Sequence, residues 1–232
     1  MSTILECKNL SKKFGYKTAL NSINLNLESG KIIGLLGPNG SGKTTLIKII
    51  NRLLTVTSGE IFIDGKAPGA ETKSIVSYLP ERTYLDEHMR VYQVIDYFAD
   101  FYEDFDRSRA ENMLQKLSID LSSRIKTMSK GTKEKLQLVL VMSRRAKLYC
   151  LDEPIAGVDP AARDYILNTI INNYDENATI LISTHLISDV ETILDEVVFI
   201  HEGKIRLHEA VDDIRFVKGK SVDELFREVY KC

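Results

Sequence analysis

The chain has 232 residues, enough to bury one sizeable core with or without an attached subdomain. Its acidic and basic residues nearly cancel to a formal charge of −2, which leaves no basic footprint for DNA or RNA. Cys7, Cys150 and Cys232 are scattered without a Cys-x-x-Cys pair, as suits a reducing cytoplasm, and no apolar run approaches a membrane span.

The first residues lack the apolar segment of an export signal, so the chain is expected to stay on the cytoplasmic side. Short apolar runs at 4–5 and 23–27, parted by brief turns, predict an antiparallel β flank. A further run at 31–36 reads as a buried strand.

Directly after it comes Gly37-Pro38-Asn39-Gly40-Ser41-Gly42-Lys43-Thr44, which fits the phosphate-loop pattern Gly-x-x-x-x-Gly-Lys-[Ser/Thr]. Three glycines let the backbone curl until successive N–H groups face one anion. Lys43 brings a cation to the outer phosphates of a nucleotide, and the Thr44 hydroxyl suits Mg²⁺. Thr45 and the apolar residues after it read as a helix whose N-terminus faces the phosphates. A Gly-rich turn that binds nothing is the bland alternative, and the strand before and helix after weigh against it.

Strands are expected next at 60–63 and 75–78, and a wholly helical pattern over about 84–145. There Val91, Val94, Ile95, Phe98, Phe101 and Phe105 form one stripe at three- and four-residue spacing, and Ala110, Met113, Leu114 and Leu117 a second. Tyr84, Met89, Tyr92 and Tyr97 fall off the stripes and are candidates for a partner-binding surface. Within this block Ser129 reads as an N-cap, with Lys130 beside it and Gly131 keeping the first helical turn open, an end able to bind phosphate.

Beyond it, an apolar strand at 148–151 ends in Asp152 and Glu153. Asp152 can hold Mg²⁺ through its water shell, while Glu153 can polarise an attacking water. An exposed Asp-Glu turn is the more frequent meaning of such residues; a phosphate loop in the same chain favours the catalytic one. Asp159 and Pro160 read as the cap and first position of another helix. The strand at 178–183 leads to Thr184 and His185, a histidine placed to reach a γ-phosphate, and a last strand is expected at 196–200. The expected fold is therefore α/β: a phosphate-loop nucleoside-triphosphatase core with a mixed central sheet and antiparallel flank (1–83 and 146–232), interrupted by a helical subdomain at 84–145.

Taken in order, these motifs resemble the nucleotide-binding subunit of an ATP-binding cassette (ABC) transporter over essentially the whole chain. The resemblance implies ATP and Mg²⁺ as ligands, Asp152 as the metal carboxylate, Glu153 as general base and His185 as the switch histidine. It implies that Phe14 stacks on adenine, with Tyr16 as the alternative, and that Glu81 sits where the family carries a metal-facing Gln. Gly157-Val158-Asp159 resembles the segment coupling two sites, and Met128-Ser129-Lys130-Gly131-Thr132 stands where the family has Leu-Ser-Gly-Gly-Gln. Both departures, and the tail from Ser221 to Phe226, are similar to bacterial subunits that serve multidrug- or antibiotic-type export permeases. Such a subunit pairs with a second copy, binds an integral-membrane permease and lies on the cytoplasmic face of the membrane. The rival classes are an ABC-type ATPase acting on nucleic acid or the ribosome, disfavoured by the single cassette and the missing coiled coil, and a regulatory module without turnover, disfavoured by Glu153 and His185. No Asn-Lys-x-Asp motif supports a GTPase.

Overall fold

The structure, a computed structural model, describes residues 2–156 and 160–230, with residues 160–162 known by backbone alone. Strands β1 (Thr3–Phe14), β2 (Lys17–Glu28) and β4 (Ser58–Ile63) form an antiparallel sheet in the order β2-β1-β4. A six-stranded sheet, ordered β5-β6-β7-β3-β8-β9, contains β3 (Ile32–Leu36), β5 (Val76–Leu79), β6 (Leu148–Asp152), β7 (Thr179–Thr184), β8 (Glu196–His201) and β9 (Lys204–Ala210). Only β8 and β9 pair antiparallel within it.

β3, β6 and β7 are buried at every position, which is why they read as continuous apolar runs. Alternate residues feed two cores. Ile33, Leu35, Cys150, Leu181 and Val198 face helix α1 (Lys43–Ile50) and the antiparallel sheet. Ile32, Leu36, Tyr149, Leu151, Ile180 and Phe199 face the other core, shared with helices α3 (Val91–Phe101), α4 (Arg107–Lys116), α5 (Lys130–Met142), α6 (Pro160–Asn172) and α8 (Val222–Tyr230). The remaining helices, α2 (Ala70–Ile75) and α7 (Ile187–Val190), are short. Cys7 and Cys150 are buried, and burial pushes both thiols up to about 12, so they behave as small hydrophobes.

The structure differs from the sequence expectation in five places. β1 runs far beyond its apolar start because it is hydrogen-bonded on both edges, by β2 and β4, and register shifts absorb its polar stretch. β9 went unexpected: its side chains alternate between half-buried Ile205 and Leu207 and exposed charge, as an edge strand's do. The 84–145 block is not wholly helical, since 80–90, 102–106 and most of 117–129 connect helices. Phe101 lies on the apolar periodicity yet is 65% exposed, whereas Phe105, past the end of α3, turns back onto Phe98 with ring centroids 5.7 Å apart. Met89 also packs against the core, leaving Tyr84, Tyr92 and Tyr97 as the exposed aromatics off the stripe.

The caps behave as local chemistry requires. Ser129 Oγ accepts the Thr132 N–H at 3.2 Å and starts α5. Ser221 and Glu224 exchange backbone N–H bonds at 3.1 and 2.8 Å, a capping box at α8. α6 begins at Pro160; Gly157, Val158 and Asp159 lie outside the described residues.

Candidate functional site

Four neighbouring strands, β5, β6, β7 and β3, end on the same side of the parallel sheet, and each end delivers part of one cleft. From β3 the chain enters the glycine loop. A Cβ on Gly37 would sit 2.3 Å from the Ile200 carbonyl oxygen, so only glycine lets the loop pass over β8. Gly42 has φ +117° and would drive a Cβ to 2.8 Å from Leu20, so the turn into α1 likewise demands glycine. Lys43 is 5% exposed; its Nζ donates to Gly37 O at 2.7 Å and lies 3.4 Å from Glu153 Oε1. It also donates to Pro38 O at 3.4 Å, so all three donors of the buried ammonium are engaged, two of them in long contacts that an anion can displace.

Asp152, at the end of β6, accepts from Ser183 Oγ at 2.5 Å and from Thr44 Oγ1 at 3.2 Å, both at Oδ1. Its Oδ2 is buried without a partner among the described residues, as is Ser41 Oγ in the loop. Burial raises the Asp152 pKa above the usual carboxylate range. The Ser183 and Thr44 hydrogen bonds oppose this, while the charges of Glu153 and Glu81 add to it. A cation beside this carboxylate would reverse that balance. Among the described residues no three His, Cys, Asp or Glu side chains gather closely enough to chelate a metal alone. The orphan Oδ2 and the Thr44 hydroxyl nevertheless fit a cation such as Mg²⁺, which draws most of its shell from phosphate and water.

Glu153 follows in a left-handed backbone conformation, φ +52°, held by its N–H donating to Ser183 O at 2.9 Å. Non-glycine residues pay roughly 1–3 kcal/mol for such a conformation, and it turns the side chain away from Asp152 toward the loop. Glu153 Oε2 lies 3.0 Å from His185 Nδ1, which comes from the end of β7. Loop lysine, carboxylate and histidine therefore form one contiguous row.

The cleft these groups border holds about 420 Å³. Asn39, Gly40, Ser41, Gly42, Lys43, Thr44 and Thr45 make its floor, and Glu81, Glu153 and His185 one wall. Phe14 stands on the other wall, 47% exposed, with Lys12 Nζ 5.0 Å from its ring centre; Tyr16 does not line the cleft. Gly37, Pro38 and Asp152 support it from beneath. Lys17 and Ala19 also line it, and sequence reasoning missed them; the tight turn between β1 and β2 that returns the chain past Phe14 was the available signal. Ser129, Lys130 and Gly131 do not line this cleft. They sit at the start of α5, where Lys130 is exposed and a Cβ on Gly131 would meet open space.

A larger groove of about 690 Å³ opens between the sheet edge and α3. Tyr84, Tyr97, Phe101 and Tyr102 give it an aromatic wall, Lys48, Lys73 and Arg82 rim it, and among the described residues no carboxylate lines it. Arg144 closes its base, 2% exposed, bonded to Asp104, Ser74 O and Val76 O and stacked on Tyr102.

Comparison with known proteins agrees with this architecture. The family model described as ABC transporter matches residues 20–156. The lantibiotic transport ATP-binding protein SrtF of Streptococcus pyogenes is 32% identical over 225 residues, 96% of each chain. The ABC transporter ATP-binding protein YtrB of Bacillus subtilis is 30% identical over 91% of this chain and 74% of its own. A solved structure of an ATP-binding subunit of an ABC transporter superposes with a TM-score of 0.87 at 31% identity, covering 98% of this chain and all of that one. This chain belongs to the ABC transporter ATP-binding family, whose members characteristically bind and hydrolyse ATP.

Proposed function

We propose that this chain binds ATP with Mg²⁺, hydrolyses it, and so energises export through a separate membrane permease. The observation that carries this reading is the convergence of Lys43, Thr44, Asp152, Glu153 and His185 on one cleft beneath a glycine loop. Lys43 exchanges its bonds to Gly37 O and Glu153 for the outer phosphates, and the loop amides at the start of α1 take the rest of their charge. Phe14 stacks on adenine, supported by its place on the cleft wall. Thr44, Asp152 and Glu81 hold Mg²⁺, which would neutralise charge developing on the phosphates. Glu153, released by Lys43, takes a proton from the attacking water, and His185 both orients Glu153 and donates to the γ-phosphate.

The anion-ready end of α5, with Ser129, Lys130 and Gly131, lies outside the cleft of its own chain. We assign it to a second copy's ATP, in a head-to-tail pair that ATP closes and hydrolysis opens. On this reading 84–145 is a helical subdomain that moves with the nucleotide. No helix among the described residues is long and apolar enough to cross a membrane. We assign the permease to another chain and this subunit to the cytoplasmic face of the membrane, a reading supported by relatives named as transport ATP-binding proteins. The aromatic groove with its basic rim suits a short permease segment carrying apolar and acidic side chains. The formal charge of −2 argues against a nucleic-acid partner. The relatives named for lantibiotic transport favour export of a peptide-type antibiotic.

Tyr97→Glu and Phe101→Glu, at exposed positions on the groove wall, test this reading. Both variants should keep ATP hydrolysis in the isolated subunit and lose co-purification with a multi-span membrane protein from the native host. Recovery of nucleic acid with the wild-type chain would move the assignment to the rival class.

A further inference from the structure

Helix α5 carries one polar side chain at full depth. Gln137 is 2% exposed, between Leu136 and Leu138, which are both buried. Its Nε2 donates to Pro80 O at 3.4 Å, joining the middle of α5 to the turn that presents Glu81. Its Oε1 is buried with no hydrogen-bond partner among the described residues. An apolar side chain of equal length would avoid that desolvation cost, so an amide here asks for a compensating role.

The surroundings supply one. Gln137 lines a narrow polar cleft of about 30 Å³, room for a single water. Glu81, Asp152 and Glu153 line the same cleft, so it lies directly behind the row of groups assigned to Mg²⁺ and the attacking water. The unpaired Gln137 Oε1 and Asp152 Oδ2 are both acceptors, and a water brings two O–H donors; Oδ2 has two lone pairs, so accepting from the water leaves one for a cation. Ser129 stands at the N-terminus of the same rigid helix, two turns from Gln137. A displacement of that end with the helix moving as one body would carry Gln137 along and pull on its bond to Pro80 O.

We propose that Gln137 is a positioning residue: its amide clasps the Pro80–Glu81 turn to α5, and its carbonyl oxygen holds a water shared with the carboxylates beyond. Engagement of Ser129 by the second copy's nucleotide is thereby transmitted to the place of Glu81 in the metal site. This rests on the proposed function for the meaning of Ser129 and Glu81, but the clasp itself does not.

Gln137→Met tests it, because methionine keeps the length and apolar fit of the side chain and removes both hydrogen-bonding groups. In nucleotide-free protein, backbone NMR order parameters at residues 81–84 should fall below about 0.6 in the variant and stay above that in wild type, while the urea midpoint is not lowered. With ATP and Mg²⁺, kcat should fall at least tenfold with KM within twofold of wild type. Unchanged order parameters in the turn, or unchanged kcat, overturn the proposal, as does a kcat loss matched by a lowered urea midpoint. If wild-type protein hydrolyses no ATP, the proposed function fails, and the order-parameter comparison still decides the clasp.

Discussion

Arg144→Ala should be among the most damaging substitutions outside the nucleotide cleft. The guanidinium makes a two-pronged bond to Asp104, at 2.9 Å through Nε and 3.1 Å through Nη2. It also donates at 2.6 Å each to Val76 O and Ser74 O, and its carbon lies 3.9 Å from the Tyr102 ring centre. These contacts tie the end of α5 to β5, to α2 and to the link between α3 and α4, so one side chain fastens the helices to the sheet. Removing one partner of a buried pair costs about 3–5 kcal/mol, and water can reach the half-exposed Asp104, which favours the lower half of that range. With a urea slope of roughly 3 kcal/mol per molar, the midpoint should drop by roughly 1–1.3 M. Arg144→Lys should recover less than half of this, because an ammonium supplies neither the planar fork nor the stack on Tyr102. In a cycle with Asp104→Ala, the double variant should lose much less than the sum of the singles. A midpoint shift for Arg144→Ala below about 0.3 M would refute the reasoning.

Two further outcomes follow from the cleft. The Asp152 carboxyl has a higher pKa folded than unfolded, so folding takes up a proton there and the fold weakens as pH rises through that interval. Asp152→Asn in metal-free buffer should therefore melt higher than wild type at pH 7, with an advantage that vanishes below the ordinary carboxyl pKa. The same variant should not hydrolyse ATP. An advantage that grows on acidification would contradict the burial argument. Phe14→Ala should weaken ATP binding by about 1–3 kcal/mol, roughly five- to 150-fold, while binding of inorganic triphosphate stays unchanged. Equal loss for both ligands would show that Phe14 supports the loop rather than the base.

What could be read beforehand was whatever depends on neighbours in sequence. The glycine loop, the strand-end carboxylates and His185 each announce themselves within a few residues, because backbone curl, capping and strand burial are local. The sheet's parallel strands were legible for the same reason: burial on both faces leaves continuous apolar runs. The edge strand β9 was not, since half-exposed alternation resembles a solvated turn. Partnerships across long stretches of chain were equally silent. Nothing in the residues around Arg144 names Ser74 or Asp104, and nothing around Gln137 names Pro80. Phe101 shows the opposite failure: its periodicity matches a core residue, but the groove beside α3 leaves its ring exposed.

The central claim is that ATP joins two copies, gripped by Lys43 of one and closed over by Ser129 of the other, until Glu153 helps to cleave it. Gel filtration of Glu153→Gln with ATP and Mg²⁺ tests it most directly. The account predicts a stable dimer holding two uncleaved ATP molecules, which reverts to monomer when Ser129→Arg is added, although each monomer still binds ATP. Wild-type turnover by Glu153→Gln, or a dimer indifferent to Ser129→Arg, would contradict it.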